Sequence, residues 1–311
     1  NIYQGTLDEA RRNISNPENS SPAYSSICKL CHWRTECMKT LERSDDLTLL
    51  PGLGRSMRQE LIDRMPTVDE LANTEIEQFI EGGTTIFTGI GIKSLEKFKA
   101  RADLVKSQNP EPYLTEPIAL PDSERELFFD IEVDSMQNFC YLHGFVERSN
   151  GDNNTEKYVA FFSDNLSPEA EEQAFANAWQ YISGNQPCAI YIYSKYERTF
   201  WRKLQSKYSS VCSKEEIETL FDPDNTIDLP YVVGKYTVWP TRDHTLKTLA
   251  QSQDFKWRDT DPSGAASIEW FQRWSESKDQ KIKQRILEYN EDDCLATRVL
   301  LDKIKRLNLM N

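Results

Sequence analysis

The clearest alternation in the chain runs through residues 127–134, LFFDIEVD. As a strand, its period of two sets Phe129, Ile131 and Val133 on one face and Asp130, Glu132 and Asp134 on the other. Two further runs, NFCYLHGFVER (138–148) and KYVAFFSD (157–164), predict an antiparallel meander with it. SPEAEEQAFANAWQYI then predicts a helix. Ser167 is its N-cap, Pro168 its first helical residue, and Glu169 and Glu171 lie in the first turn, where the macrodipole favours acids. CAIYIYS reads as a buried strand that runs straight into a helix, YERTFWRKLQSKY. The stretch DQKIKQRILEYNEDDCLATRVLLDKIKRL predicts a long closing helix or helix pair.

Upstream the pattern changes three times. Residues 1–44 are polar and rich in Ser, Asn and Pro, and end in a cysteine cluster. Residues 45–107 hold two Gly-punctuated helical patterns, and residues 108–124, QNPEPYLTEPIALPDSE, read as an extended linker. Residues 125–311 form one long α/β zone. Within 45–107, LTLLPGLGRSMRQELIDRMPTVDELA carries a P-G-x-G turn through Gly52 and Gly54. TTIFTGIGIKSLEKFKARA carries a second G-x-G turn through Gly89 and Gly91, followed by Lys93, Lys97, Lys99 and Arg101. Turns of this kind expose backbone N–H groups to a phosphate. They resemble tandem helix-hairpin-helix motifs, which implies backbone-directed DNA binding; hairpins that serve only as packing elements are the plainer alternative.

Composition narrows the class. The 311 residues are 28% charged and 38% hydrophobic, ample for a buried core and two or three domains. No run of about 18 apolar residues predicts a membrane span, and no basic-then-apolar leader is present. The chain opens on Asn in mid-pattern, as a piece of a longer protein would. Net charge is −13, of which the first 120 residues carry −4 and the remainder −9. That argues against nucleic-acid binding through bulk positive charge, although a nuclease whose carboxylates hold cations fits it. Seven cysteines, three of them clustered, do not make a disulfide framework and suit a reducing cytoplasm.

Three carboxylate stations carry the chemistry. Acids at i and i+2 of a central strand, Asp130 and Glu132, can fix oxygen ligands for paired divalent ions; a solvated edge strand would look the same. Glu197 falls in the first turn of the helix after CAIYIYS, where the macrodipole alone also favours an acid. In YNEDDCLATRVL, Tyr289 and Asp293 lie at i and i+4 on one helical face, so the hydroxyl can stand beside a metal-bound water; an acidic helix with a packed Tyr is the alternative.

This order, strand D-x-E, then a strand-to-helix acid, then Y-x-x-x-D, resembles the DEDD exonuclease superfamily in its Tyr-bearing subtype. That resemblance implies a ribonuclease H-like mixed sheet flanked by helices over 125–311, preceded by a small all-α domain over 45–107. Asp130 and Glu132 match its first motif, Tyr289 and Asp293 its third. The second motif usually ends in Asp, where this chain has Glu197. With IDLPYVV (227–233), TLKTLA (245–250) and FKWRDTDPSGAASIEWFQRW (255–274), the zone is similar to the YprB-type domain of predicted RecB-like nucleases. The resemblance implies 3′→5′ exonuclease activity on single-stranded DNA with two Mg²⁺ or Mn²⁺ ions. Asp130 and Asp293 would hold one, Asp130 and Glu132 the other, with Tyr289 orienting the attacking water and Glu197 as an outer ligand. Asp228, Lys247 and His244 fall within the pattern. They read as an auxiliary acid or helix cap, a phosphate contact or solvated lysine, and a proton carrier or packed histidine. An RNA-processing exonuclease, and a binding or scaffold protein with a degenerate site, are the rival readings.

CKLCHWRTEC spaces Cys28, Cys31 and Cys37 as C-x2-C-x5-C, one short of a closed zinc or iron–sulfur site. His32 beside Cys31 is awkward as a fourth tetrahedral ligand. The grouping resembles the last three cysteines of RecB-type nucleases with a 4Fe–4S cluster. That implies a fourth Cys on an N-terminal nuclease module absent from this chain, with residues 1–44 as its tail.

Overall fold

A computed structural model describes residues 2–16, 21–260 and 263–309. They fall into two compact units. One holds the described residues up to Pro112 with Val238–Asp243; the other holds Tyr113–Thr237 and the described residues from His244 on.

The first unit contains α1 (Ile2–Ser15), α2 (Arg34–Arg43), α3 (Arg55–Leu61), α4 (Val68–Ala72) and α5 (Ile92–Lys106). Leu47, Leu50, Leu53, Leu61, Leu71, Ile90, Leu95 and Phe98 share its core. The turns into α3 and α5 have the same backbone. Gly52 (φ +83°) precedes buried Leu53 and extended N-cap Gly54; Gly89 (φ +73°) precedes buried Ile90 and extended N-cap Gly91. The positive φ is the reason glycine stands at 52 and 89. Arg101 of α5 is buried and donates to the Pro51 carbonyl, which ties the second helix to the first turn. Lys99 is also spent internally, on the Ala72 carbonyl and Asp103.

The second unit is built on a five-stranded sheet of β1 (Arg125–Asp134), β2 (Phe139–Ser149), β3 (Asp152–Phe162), β4 (Ala189–Ile192) and β5 (Thr226–Asp228). Strand order is β3-β2-β1-β4-β5, antiparallel from β3 to β1 and parallel from β1 to β5. The helices are α6 (Pro168–Gly184), α7 (Tyr196–Lys207), α8 (Lys214–Leu220), α9 (Leu229–Tyr236), α10 (Leu246–Gln251), α11 (Gly264–Ser277) and α12 (Gln280–Lys305). Mixed α/β architecture with a flanked central sheet is what the sequence pattern predicts. The closing segment is one 26-residue helix rather than a pair, and β3 starts five residues before the KYVAFFSD run.

Alternation along β1 divides the core. Leu127, Phe129, Ile131 and Val133 pack with Phe175, Phe200, Trp201 and Leu204 of α6 and α7. The opposite face meets α12. There Glu126 bonds Lys305 and Arg148, and Arg148 reaches Asp302 at 2.8 Å. A second core of Tyr141, Trp257, Trp270, Phe271, Ile286 and Tyr289 joins β2, α11 and α12. Among the described residues, no helix is long and apolar enough to cross a membrane.

Candidate metal centre

β1 is the central strand, so its middle residues lie deep in the sheet with no edge to solvate them. Asp130 and Glu132 point to the α12 face, and α12 presents Asp293 there one turn after Tyr289. One carboxylate oxygen from each of Asp130, Glu132 and Asp293 lies within 4.8 Å of the other two. Glu132 is buried, whereas Asp130 and Asp293 are partly exposed. Among the described residues this is the one grouping of three or more such side chains close enough to share a cation.

Asp134, third acid of the alternation, is not in the group. Its carboxylate accepts from the Met136 and Gln137 backbone N–H groups and from the Gln137 and Gln272 amides, so it caps the β1–β2 turn. A register irregularity between Glu132 and Val133 separates it from the other two.

Each acid has a donor. Asn290 Nδ2 donates to Asp130 Oδ2 at 2.7 Å, and Trp257 Nε1 to Asp293 Oδ1 at 2.7 Å. The Tyr141 hydroxyl stands 3.4 Å from Glu132 Oε2 and 2.8 Å from Ser267 Oγ. Glu197, 4% exposed, accepts from Ser194 Oγ at 2.7 Å; that hydroxyl also receives the Tyr196 N–H. The charge of Glu197 is felt at Asp130, although it is not one of the three oxygens gathered.

Burial is the main cause of the unusual titration here. It drives the Asp130 carboxyl well above the ordinary range, with the charges of Asp293, Glu132 and Glu197 adding to it. Burial and Asp293 push Glu132 up to about 8, partly offset by hydrogen bonds from Ser267, Asn290 and Tyr141. Burial takes Glu197 to about 7 and Asp293 to about 6, the latter held down by the Lys247 ammonium and the Trp257 and Tyr289 donors. Four neighbouring carboxyls that resist ionisation in the bare protein are what a cation would compensate. Tyr289 is raised by burial and by Asp293, Glu132 and Asp130, so its hydroxyl stays protonated and can donate.

Lys247 of α10 lies with Nζ 5.1 Å from the Tyr289 ring centroid and 5.8 Å from that of Trp257. The His244 carbonyl accepts from the Tyr193 hydroxyl at 2.6 Å. Asp228 caps α9 through the Tyr231 N–H, and its charge also raises Glu197. The loop after α10 is stitched to α12 by three successive residues: Trp257 to Asp293, Arg258 to Asp292 and Glu291, and Asp259 to Arg285.

Sequence reasoning passed over Asn290, Trp257, Ser194, Tyr141 and Gly144. Asn290 had a findable signal, since it is three residues before Asp293 and so shares its helical face. Trp257 had none, because its partner is 36 residues away.

Elsewhere, Lys93 is exposed, while Lys97 is half-buried and lowered by burial and by Arg101. All seven cysteines are free. Cys28, Cys31 and Cys37 are not gathered into a ligand set, and Cys28 Sγ instead accepts from the Ser25 N–H at 3.4 Å. Cys31 is exposed, and Cys28 and Cys37 are partly exposed.

A family model described as the RNase H superfamily matches residues 127–305, which takes in every residue of this centre. No curated protein and no solved structure matches the chain.

Proposed function

The chain belongs to the RNase H superfamily over residues 127–305, and from that premise we propose that it is a metal-dependent 3′→5′ exonuclease acting on single-stranded DNA. The observation that carries this reading is the convergence of Asp130, Glu132 and Asp293, with Tyr289 one turn before Asp293 on the same helix. Asp130, Glu132 and Asp293 would hold two divalent ions, Mg²⁺ or Mn²⁺, with Asp130 shared between them. Such ions lower the pKa of a bound water and neutralise charge on the phosphate and the leaving oxygen.

The protein's own groups supply position. Tyr289 stays protonated and donates to Asp293, and its hydroxyl oxygen accepts a hydrogen bond that orients the attacking water. Lys247, between the Tyr289 and Trp257 rings, offsets phosphate charge beside Asp293. Glu197 extends the acidic lining from α7 and holds a water rather than an ion.

We assign DNA binding to the repeated turns at Gly52–Gly54 and Gly89–Gly91, with Lys93 and Lys97 on the following helix, as a tandem helix-hairpin-helix module over 45–107. The matching φ values at Gly52 and Gly89 support that assignment. A 4Fe–4S cluster on Cys28, Cys31 and Cys37 would need a fourth thiolate, which an N-terminal RecB-like nuclease module would supply.

Three-way comparison of 5′-labelled single-stranded DNA, the same sequence as RNA, and duplex DNA, each with Mn²⁺ or EDTA, tests the reading. Stepwise shortening of single-stranded DNA with Mn²⁺, absent in EDTA and in Asp130→Ala, is expected. Shortening of RNA alone would move the activity to RNA processing. Loss of no substrate with Mn²⁺, while Asp130→Ala still binds DNA, would leave a binding protein.

A further inference from the structure

Asn290 is fully buried, and both polar atoms of its side chain are engaged. Nδ2 donates to Asp130 Oδ2 at 2.7 Å, and Oδ1 accepts from the Tyr158 hydroxyl at 2.8 Å. The Asp130 carboxylate oxygen accepts and so turns the amide nitrogen toward it, while the Tyr158 hydroxyl, able to donate, holds the oxygen end in place. The space it occupies exists because residue 144 is glycine. A Cβ there would lie 1.6 Å from Asn290 Oδ1 and 2.8 Å from its Cγ. Gly144 is the register partner of Asp130 across β1 and β2, and its carbonyl meets Cys294 Sγ, one turn after Asn290 on α12.

We propose that Asn290, set by Tyr158 and admitted by Gly144, is the positioning residue that commits Asp130 Oδ2 to a fixed donor and leaves Oδ1 to the cation. This rests on the metal-centre reading above and deepens it. A carboxylate held at one oxygen cannot swing between bidentate and monodentate poses, so the geometry that two shared ions require is preset before they arrive.

The test is Mn²⁺ affinity measured by electron paramagnetic resonance on the full chain, alongside the metal-free melting temperature. Asn290→Ala and Gly144→Ala are each expected to weaken Mn²⁺ binding by about 10- to 100-fold, as loss of a ligand-orienting partner does elsewhere. In the double variant Gly144→Ala/Asn290→Ala, the new methyl takes the space the amide leaves. Its melting temperature should recover toward wild type while Mn²⁺ binding stays weak. Tyr158→Phe keeps the shape and frees the amide to rotate; it should bind Mn²⁺ several-fold more weakly, with a broadened signal. If Asn290→Ala does not fold, Tyr158→Phe and the double variant decide. Wild-type affinity in the double variant or in Tyr158→Phe overturns the proposal while the metal centre stands. Failure of the wild type itself to bind Mn²⁺ overturns both.

Discussion

At the residue scale the centre is a set of buried acids whose charges oppose one another. In the metal-free protein Glu132 titrates at about 8, Glu197 at about 7 and Asp293 at about 6. The same groups titrate near 4 in an unfolded chain. Between those limits the folded state holds more protons than the unfolded state, so folding stability falls as pH rises from about 4.5 to about 8. The metal-free melting temperature should therefore be lower at pH 8 than at pH 5.5, and millimolar Mn²⁺ should raise it more at pH 8. A melting temperature that is flat across this window, with or without Mn²⁺, would contradict the account. Trp257→Phe tests the Asp293 donor separately. It keeps an aromatic ring beside Lys247 and loses one hydrogen bond, so activity should drop on the order of tenfold at fixed Mn²⁺ and recover partly at higher Mn²⁺. An unchanged Mn²⁺ requirement would mean the indole only packs.

At the element scale the question is what holds α12 against β1. Its C-terminal end is clamped by the buried Arg148, which joins Glu126 and Asp302, while Lys305 closes on Glu126. Arg148→Met leaves Glu126 and Asp302 in a dry setting with half their partners. Denaturant unfolding should show a loss of roughly 3–5 kcal/mol, the cost of breaking a buried pair from one side. A loss under about 1 kcal/mol would mean that water takes the place of the guanidinium. This scale also shows what the sequence made legible. The alternation of β1, the capped α6 and the spacing of Tyr289 and Asp293 are local patterns, readable because side-chain period follows backbone geometry. Alternation alone puts Asp134 on the acidic face, and only the match of Asp130 and Glu132 to the family's first motif sets it apart; the irregularity after Glu132 depends on the pairing with β2. Apart from Asn290, the partners that hold the acids were also hidden. Tyr158 lies 132 residues from Asn290, so only the folded sheet brings them together.

Over the whole molecule, a net charge of −13 with no basic half means that nucleic acid is held by a few local contacts rather than by a field. Single-strand binding loses about 0.7 in log affinity per log salt for each phosphate neutralised, so two or three contacts predict a modest slope. Affinity for single-stranded DNA, measured with the inactive Asp130→Ala protein, should fall by about tenfold or a little more between 50 and 200 mM salt. A fall of a thousandfold would reveal a wide basic surface that the charge distribution denies. The central claim, that Asp130, Glu132 and Asp293 together bind catalytic metal, is tested most directly by anomalous scattering from crystals soaked in Mn²⁺. The account predicts manganese peaks in contact with all three carboxylates, lost when Asp293 is replaced by Asn. Crystals saturated with Mn²⁺ that show no peak there, or show one that Asp293→Asn leaves unchanged, would contradict it.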